Sequence, residues 1–254
     1  MKNTIVLLLL LFAVVAHTQT LTEMNSEIGW MIDRNIAEAQ VFQQELDKCK
    51  KIEDKFHDQK SYEALSKAER DFYENCSEQT NYWAVLDIGC SWYCGGDADS
   101  LSATSALESR GDTTYSPENI HDLSYGTAWI EGAKGYGIGE SITYHFVPEN
   151  PRITKIIIAN GYVKYEEVWR ENSRVKKLKM YVNYRPFAML NLEDTRAEQS
   201  FTFEPIGNAD RADMKVLKAL PKWTIRFEIV EVYMGDKYDD TAITEIYFDG
   251  IDVH

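Results

Sequence analysis

From residue 140 to its C-terminal end the chain is a succession of short β-prone runs, with no helix-length pattern between consecutive ones. That spacing excludes parallel βαβ units, because a parallel crossover needs a dozen or more intervening residues. The runs span 140–147, 154–160, 175–182, 187–192, 199–203, 223–233 and 243–248. Within 175–182, Leu178, Met180 and Val182 alternate with Lys177, Lys179 and Tyr181, so one face of the strand is dry and the other wet. In 223–233, Trp223, Ile225, Phe227 and Ile229 hold the odd positions before Val230, Val232 and Met234 take the even ones. A parity switch inside one strand predicts a β-bulge, or a strand that passes between sheets. The expected architecture is an antiparallel sandwich of the jelly-roll class.

Residues 21–80 have a different texture, rich in Glu, Lys, Gln, Ala and Asp, with no Pro and Gly29 as the one glycine. Ile28, Met31, Ile32, Ile36, Ala39 and Phe42 recur at three- and four-residue intervals, which predicts an amphipathic helix, and 56–72 reads as a second. The expectation is a helical hairpin packed on its own domain. A partner-binding coiled coil is the alternative, but no heptad pattern runs for three repeats. Cys49, Cys76, Cys90 and Cys94 allow three connectivities, of which Cys49–Cys76 and Cys90–Cys94 are favoured by helical placement and by closeness in sequence. Zinc fails on spacing, because the C-x₃-C pair has no second ligand pair and the histidines are scattered.

The cysteines read as disulfides because the chain reads as exported. Lys2 supplies a basic start, 5–16 is an unbroken apolar run, and Ala16 and Thr18 flank a cleavage position before Gln19. A run of about a dozen residues is short of the ~20 a spanning helix needs. With no cysteine at the cleavage point, the expected product is secreted or periplasmic and is not inserted in a membrane. The net charge of −14 excludes a phosphate-backbone partner, and the one Lys-rich patch, Lys176, Lys177 and Lys179, is the exposed side of a strand.

The stretch 119–129 concentrates oxygen donors beside Trp129. Its carboxylate, carbonyls and Thr hydroxyl suit a hard cation such as calcium. They equally suit a self-satisfied Asx turn with Trp129 plugging the core, and spacing alone leaves both open. The glycine-rich 135–139 continues into a strand instead of opening a helix, so it reads as a hairpin and not a dinucleotide loop. Glu166, Glu167 and Glu171 cluster in one polar segment as a solvated surface would, and there is neither a G-x-S-x-G elbow nor an H-E-x-x-H helix. The chain is therefore expected to be non-catalytic.

The pattern N-x-x-D-x(4)-T-x-W over Asn119, Asp122, Thr127 and Trp129 resembles the start of discoidin-like (coagulation factor type C) domains of the galactose-binding-like superfamily. The segments 90–96, 129–132, 135–140, 160–164, 169–174 and 239–246 resemble, more narrowly, the glycan-binding or translocation domain first associated with secreted NAD-glycohydrolase toxins. The resemblance covers 90–254 and leaves out the helical segment. It implies an all-β jelly roll, non-catalytic glycan recognition, and a structural calcium near Asp122, Thr127 and Glu245. In that family NAD cleavage belongs to a separate catalytic domain. One departure is Asp122-Leu123, where many discoidin-like domains have Asp-Gly.

A sugar needs a flat aromatic face and a rim of hydrogen-bonding groups. Trp92, Tyr93, Tyr162, Lys164, Trp169, Asn172 and Arg174 are the candidate set, weighed against the alternative that such rings fill the core. The expected organisation is a signal peptide (1–18), a helical segment (19–84) and a galactose-binding-like jelly roll (85–254) that binds cell-surface carbohydrate. The first alternative is a structural or adaptor envelope protein that docks a protein partner through the helices, and the second, ranked below it, is an enzyme acting on glycans or nucleotides.

Overall fold

A computed structural model describes residues 21–252 apart from 60, 77–80, 86–87, 89–91 and 210. The expected signal peptide lies outside the described residues, as does Cys90, and with it the expected Cys90–Cys94 pairing.

The chain forms β1 (Thr22–Asn25), β2 (Glu27–Met31), α1 (Ile36–Gln59) and α2 (Lys67–Tyr73) before entering β3 (Ser100–Ala103). Then follow β4 (Trp129–Ile130), β5 (Ser141–Phe146), β6 (Ile153–Asn160), α3 (Glu166–Glu171), β7 (Ser173–Val182), β8 (Arg185–Asn191) and β9 (Ala197–Ile206). The last elements are α4 (Met214–Lys218), β10 (Trp223–Tyr233) and β11 (Thr241–Gly250). Hydrogen bonding runs in the order β2-β9-β6-β11-β7-β10-β5-β3. The parallel β11–β7 contact covers only Thr241 and Ala242 against Ser173 and Arg174. Elsewhere on that path the pairs are antiparallel. Phe248 of β11 lies 5.0 and 5.5 Å from Tyr144 and Phe146 of β5, three strands further along the path, so the sheet folds over as two layers, β2-β9-β6-β11 and β7-β10-β5-β3.

Alternation explains the packing. Ile156, Ile158, Phe201, Ile246 and Phe248 from one layer meet Tyr144, Phe146, Leu178, Met180, Phe227 and Ile229 from the other in a single core. The parity switch in β10 is a real irregularity, since its register with β7 breaks on both sides of Glu231. Residues on the core side before the break, such as Phe227 and Ile229, are about 1% exposed.

The N-terminal segment differs from expectation. Residues 22–31 are strand: β1 pairs in parallel with β8, and β2 pairs antiparallel with β9. Apolar spacing in so short a window cannot separate helix from strand, and open sheet edges supplied the partners. The helix begins only at Ile36. The expected second helix over 56–72 is instead the end of α1, a 3₁₀ turn at Tyr62–Ala64, and α2. Serines punctuate it: Ser61 accepts the Glu63 N–H, and Ser66 and Glu69 form a capping box. The Cys49–Cys76 disulfide joins α1 to the chain beyond α2. The boundary expected at residue 84 is thus crossed, because β1 and β2 belong to the sandwich. No described helix is long and apolar enough to cross a membrane.

Candidate functional site

One end of the sandwich, where β6 ends and β11 begins, gathers the segments 83–85, 122–129 and 160–174. A short 3₁₀ turn, Pro117–Ile120, leads in, and the buried Asn119 ties the segment by donating to Thr114 O at 2.7 Å and Ala128 O at 3.1 Å. The next turn brings Asp122, Thr127 and Glu245 together. Thr127 Oγ1 donates to Asp122 Oδ2 at 2.7 Å, while the Ser124 N–H faces both Asp122 Oδ1 and Glu245 Oε2 at 3.1 Å. Leu123 sits at φ 57°, in the left-handed region that glycine adopts at least cost. The Asp-Leu departure is therefore a side chain held in a glycine-type conformation, with Leu123 packed against the apolar cluster that includes Tyr125 and Val163.

The electrostatics of this turn are unusual. Glu245 is fully buried, and its Oε1 has no hydrogen-bond partner. Burial, and the Asp122 carboxylate beside it, push the Glu245 carboxyl well above the ordinary range. Burial raises Asp122 as well. His121 Nδ1 lies 3.9 Å from Oε1 and 2.9 Å from Ile246 O. Two carboxylates, a hydroxyl and carbonyls form an all-oxygen donor set with an unsatisfied acceptor, which fits a hard cation. Among the described residues no group of three or more His, Cys, Asp and Glu side chains is placed to hold a metal, so carbonyls and hydroxyls would have to complete such a site.

The residues expected to face a sugar divide into two places. Trp92 is completely buried, donates Nε1–H to Pro151 O at 2.7 Å, and packs on Phe146 and Phe248. It is a core residue, a correction to its expected exposure. Tyr93 accepts the Phe248 N–H on its hydroxyl. Both lie by Phe248, whereas Gly161 bridges Ile243. Those points are five residue steps apart along β11, roughly 17 Å at about 3.3 Å per residue.

Tyr162, Lys164, Trp169, Asn172 and Arg174 do come together at the β6–β7 end, mostly as scaffold. Arg174 is 7% exposed, makes a two-pronged ion pair with Asp194 at 2.7 and 3.0 Å, and stacks 4.5 Å from the Trp169 ring centroid. Trp169 donates to Asn160 O, and Asn172 to Val168 O. Gly161, at φ +83°, lets these groups close: a Cβ there would lie 2.5 Å from Arg174 Cγ and 2.7 Å from Trp169 Cδ1. Tyr162 is buried, donates to Gly126 O at 3.2 Å, and is pushed up to about 12 by burial. The buried Tyr162, Asn172 and Arg174 therefore hold the loop's shape and do not present its surface.

Lys164 and Trp169 are half-buried. The Lys164 ammonium lies 5.7 Å from the ring centroids of both Trp83 and Tyr165, and burial lowers its pKa from the ordinary lysine value. Trp83 and Tyr165 meet edge to face at 5.9 Å. The Trp83 indole also presses on Gly126, where a Cβ would come within 2.9 Å of the ring. Trp83 and Tyr165 were not among the expected residues. The tripeptide Tyr82-Trp83-Ala84 ahead of a β-rich domain was the available signal.

Residues 92–249 match the family described as the NAD glycohydrolase translocation F5/8 type C domain. No curated protein matches the chain in sequence. Similar solved structures include the CBM32-1 and CBM32-2 domains of Clostridium perfringens ZmpB, at 13% identity and TM-score 0.42, covering 61% of this chain and 34% of that one. CBM32-3 from a family 31 glycoside hydrolase of Clostridium perfringens is similar at 18% identity and TM-score 0.43, covering 64% and 99%. CpGH89CBM32-5 of the same organism, in complex with GalNAc-β-1,3-galactose, is similar at 14% identity and TM-score 0.41, covering 59% and 94%.

Proposed function

The chain belongs to the NAD glycohydrolase translocation F5/8 type C domain family, and from that premise we propose that it is a secreted, non-catalytic module that binds cell-surface carbohydrate at the β6–β7 end. Membership across 92–249 is the observation that carries this reading. The half-buried remainder of the loop end has the required chemistry. Trp83 and Tyr165 offer aromatic faces, and Lys164 is a donor between them. The deeper residues, Tyr162, Trp169, Asn172 and Arg174, fix the loop that carries Lys164 and Tyr165, so little ordering entropy is lost on binding. A calcium ion held by Asp122, Glu245, Thr127 and neighbouring carbonyls would neutralise two carboxylates that burial otherwise penalises. It would brace the loop against which Tyr162 and Trp83 pack.

The test is a glycan array probed with the mature protein in calcium and in chelator. Saturable binding that weakens in Trp83→Ala and Lys164→Ala supports the loop end as the surface. If no glycan binds under either condition, carbohydrate recognition is wrong. Loss of NAD above background would overturn the non-catalytic assignment.

A further inference from the structure

The layer β2-β9-β6-β11 turns a second face away from the main core, and strand register arranges it in rows. Across it run Glu245–Ala159–Glu198, Tyr247–Ile157–Ser200 and Asp249–Lys155–Thr202. Ala159 of the first row and Ile157 and Tyr247 of the second join Val85 and Tyr125 in a small apolar cluster. The cluster stops short of Lys155, Ser200 and Asp249, which are all partly exposed.

Over this opening stands Trp30. The register of β2 on β9 breaks between Ile28 and Met31, which places Gly29 and Trp30 at the irregularity beside Glu198. Trp30 is 80% exposed, with a recess of about 260 Å³ on one side and about 360 Å³ on the other. Both recesses are lined by Trp30 and Glu198. Volumes of this size lie near the lower end of the about 300–1,000 Å³ usual for small-molecule sites. Glu198 is itself 9% exposed and fixed, its Oε1 accepting the hydroxyls of Tyr125 and Tyr247. Neither tyrosine uses Oε2, which lies 3.7 Å from where a side chain at Gly29 would begin.

The polar groups around the ring select a ligand class. Lys155, Glu198 and Asp249 line one recess and Arg34, Asp33 and Glu198 the other, so each combines a cationic donor with carboxylate acceptors and neither sign prevails by more than one charge. An anion would meet three carboxylates, and a cation would meet an ammonium and a guanidinium. A neutral molecule rich in hydroxyls satisfies both kinds of partner, and an apolar ring face stacks on an exposed indole. We infer that this cleft is a second saccharide site, in which a neutral pyranose stacks on Trp30 and shares its hydroxyls among Glu198, Lys155, Ser200 and Asp249. Trp30 precedes the segment that matches the family, so the N-terminal strand adds this site to the module. It uses neither Trp83, Lys164 nor Tyr165 and stands whether or not they bind sugar.

The experiment follows intrinsic fluorescence of the mature protein titrated with GalNAc-β-1,3-galactose, cellotetraose and chitotetraose. At least one probe is expected to give a saturable change, with affinity reduced about tenfold or more in Trp30→Ala. Because Trp30 is exposed, Trp30→Ala should keep the wild-type melting temperature. Ser200→Tyr, which places a large ring in the first recess, is expected to weaken the same binding. Retention of that binding in Trp83→Ala separates this cleft from the loop end. If no probe binds, or if binding persists unchanged in both Trp30→Ala and Ser200→Tyr, the cleft is not a saccharide site. Loss in Trp83→Ala alone would favour the loop end and overturn this one.

Discussion

Asp122 and Glu245 face the same backbone N–H, that of Ser124, at 3.1 Å each. One donor is shared between two carboxylates raised by burial, and Glu245 keeps a second oxygen with no partner. A divalent cation bound there would supply charge to both. Calcium is expected to raise the melting temperature, by an increment equivalent to about 2.7 kcal/mol at a hundredfold excess over Kd. Chelator should reverse the shift, and Glu245→Gln should abolish it. A melting temperature indifferent to millimolar calcium would exclude the ion.

Arg174 joins Asp194 on β7's flank to the Trp169 ring, and it is nearly enclosed. Lysine cannot reproduce both the fork and the stacking plane. Arg174→Lys is therefore expected to cost about 1.5–3 kcal/mol, the scale of a hydrogen bond to a charged group. Denaturant melts would measure it. A loss below a few tenths of a kcal/mol would show that the side chain is not part of the loop's support.

Trp92 is the largest side chain linking the 92–94 turn to the core, and its indole N–H is satisfied by Pro151 O. Trp92→Ala should lower stability by about 3–5 kcal/mol, the range for deleting a buried aromatic. Trp30→Ala, at an exposed position, should lower it by a few tenths at most. Equal effects of the two substitutions would contradict their opposite burial.

These contrasts mark how far the sequence was legible. Period-2 patterning located the long central strands, since each has one face in the core, and even the bulge after Ile229 was written in the parity of its apolar residues. The short edge strands were not legible. Ser100–Ala103 and Trp129–Ile130 are too short to carry a period, and Glu27–Met31 has an apolar spacing that fits a helix equally well. Asp122 and Thr127 stood out as oxygen donors in one short stretch, whereas Glu245, more than a hundred residues away, was reachable only through the family resemblance; strand pairing brings it to the same turn. The aromatic set was not separable, because the same Trp-Tyr composition serves a buried Trp92 and an exposed Trp30. Which of the two occurs depends on strand pairing across more than a hundred residues.

The β7–β8 hairpin turns on Asn183 and Tyr184, both left-handed at φ 48° and 65°. Two positive φ values between paired Val182 and Arg185 define a turn that favours Asn-Gly. Tyr184 is 76% exposed, so its ring gives little in return for the backbone cost. Tyr184→Gly is expected to raise stability by about 1 kcal/mol, the scale of the left-handed penalty. A lower melting temperature would mean that the tyrosine ring packs in a way its exposure does not suggest.

Glu69 links the short α2 to α1. Lys55, with the Ser66 side chain and backbone amide, lowers its carboxyl to about 2. A depressed folded value means that the contribution to stability is present above the unfolded pKa, 4.5, and is lost as pH falls through the folded value. The helical hairpin should therefore loosen between pH 4.5 and about 2, while Cys49–Cys76 keeps its ends together. Far-ultraviolet circular dichroism across that window should show a loss of helical signal in the wild type. Glu69→Gln, which cannot titrate, should show a smaller change with a lower starting stability. If the two proteins follow the same acid profile, the Lys55–Glu69 contact does not hold the hairpin closed.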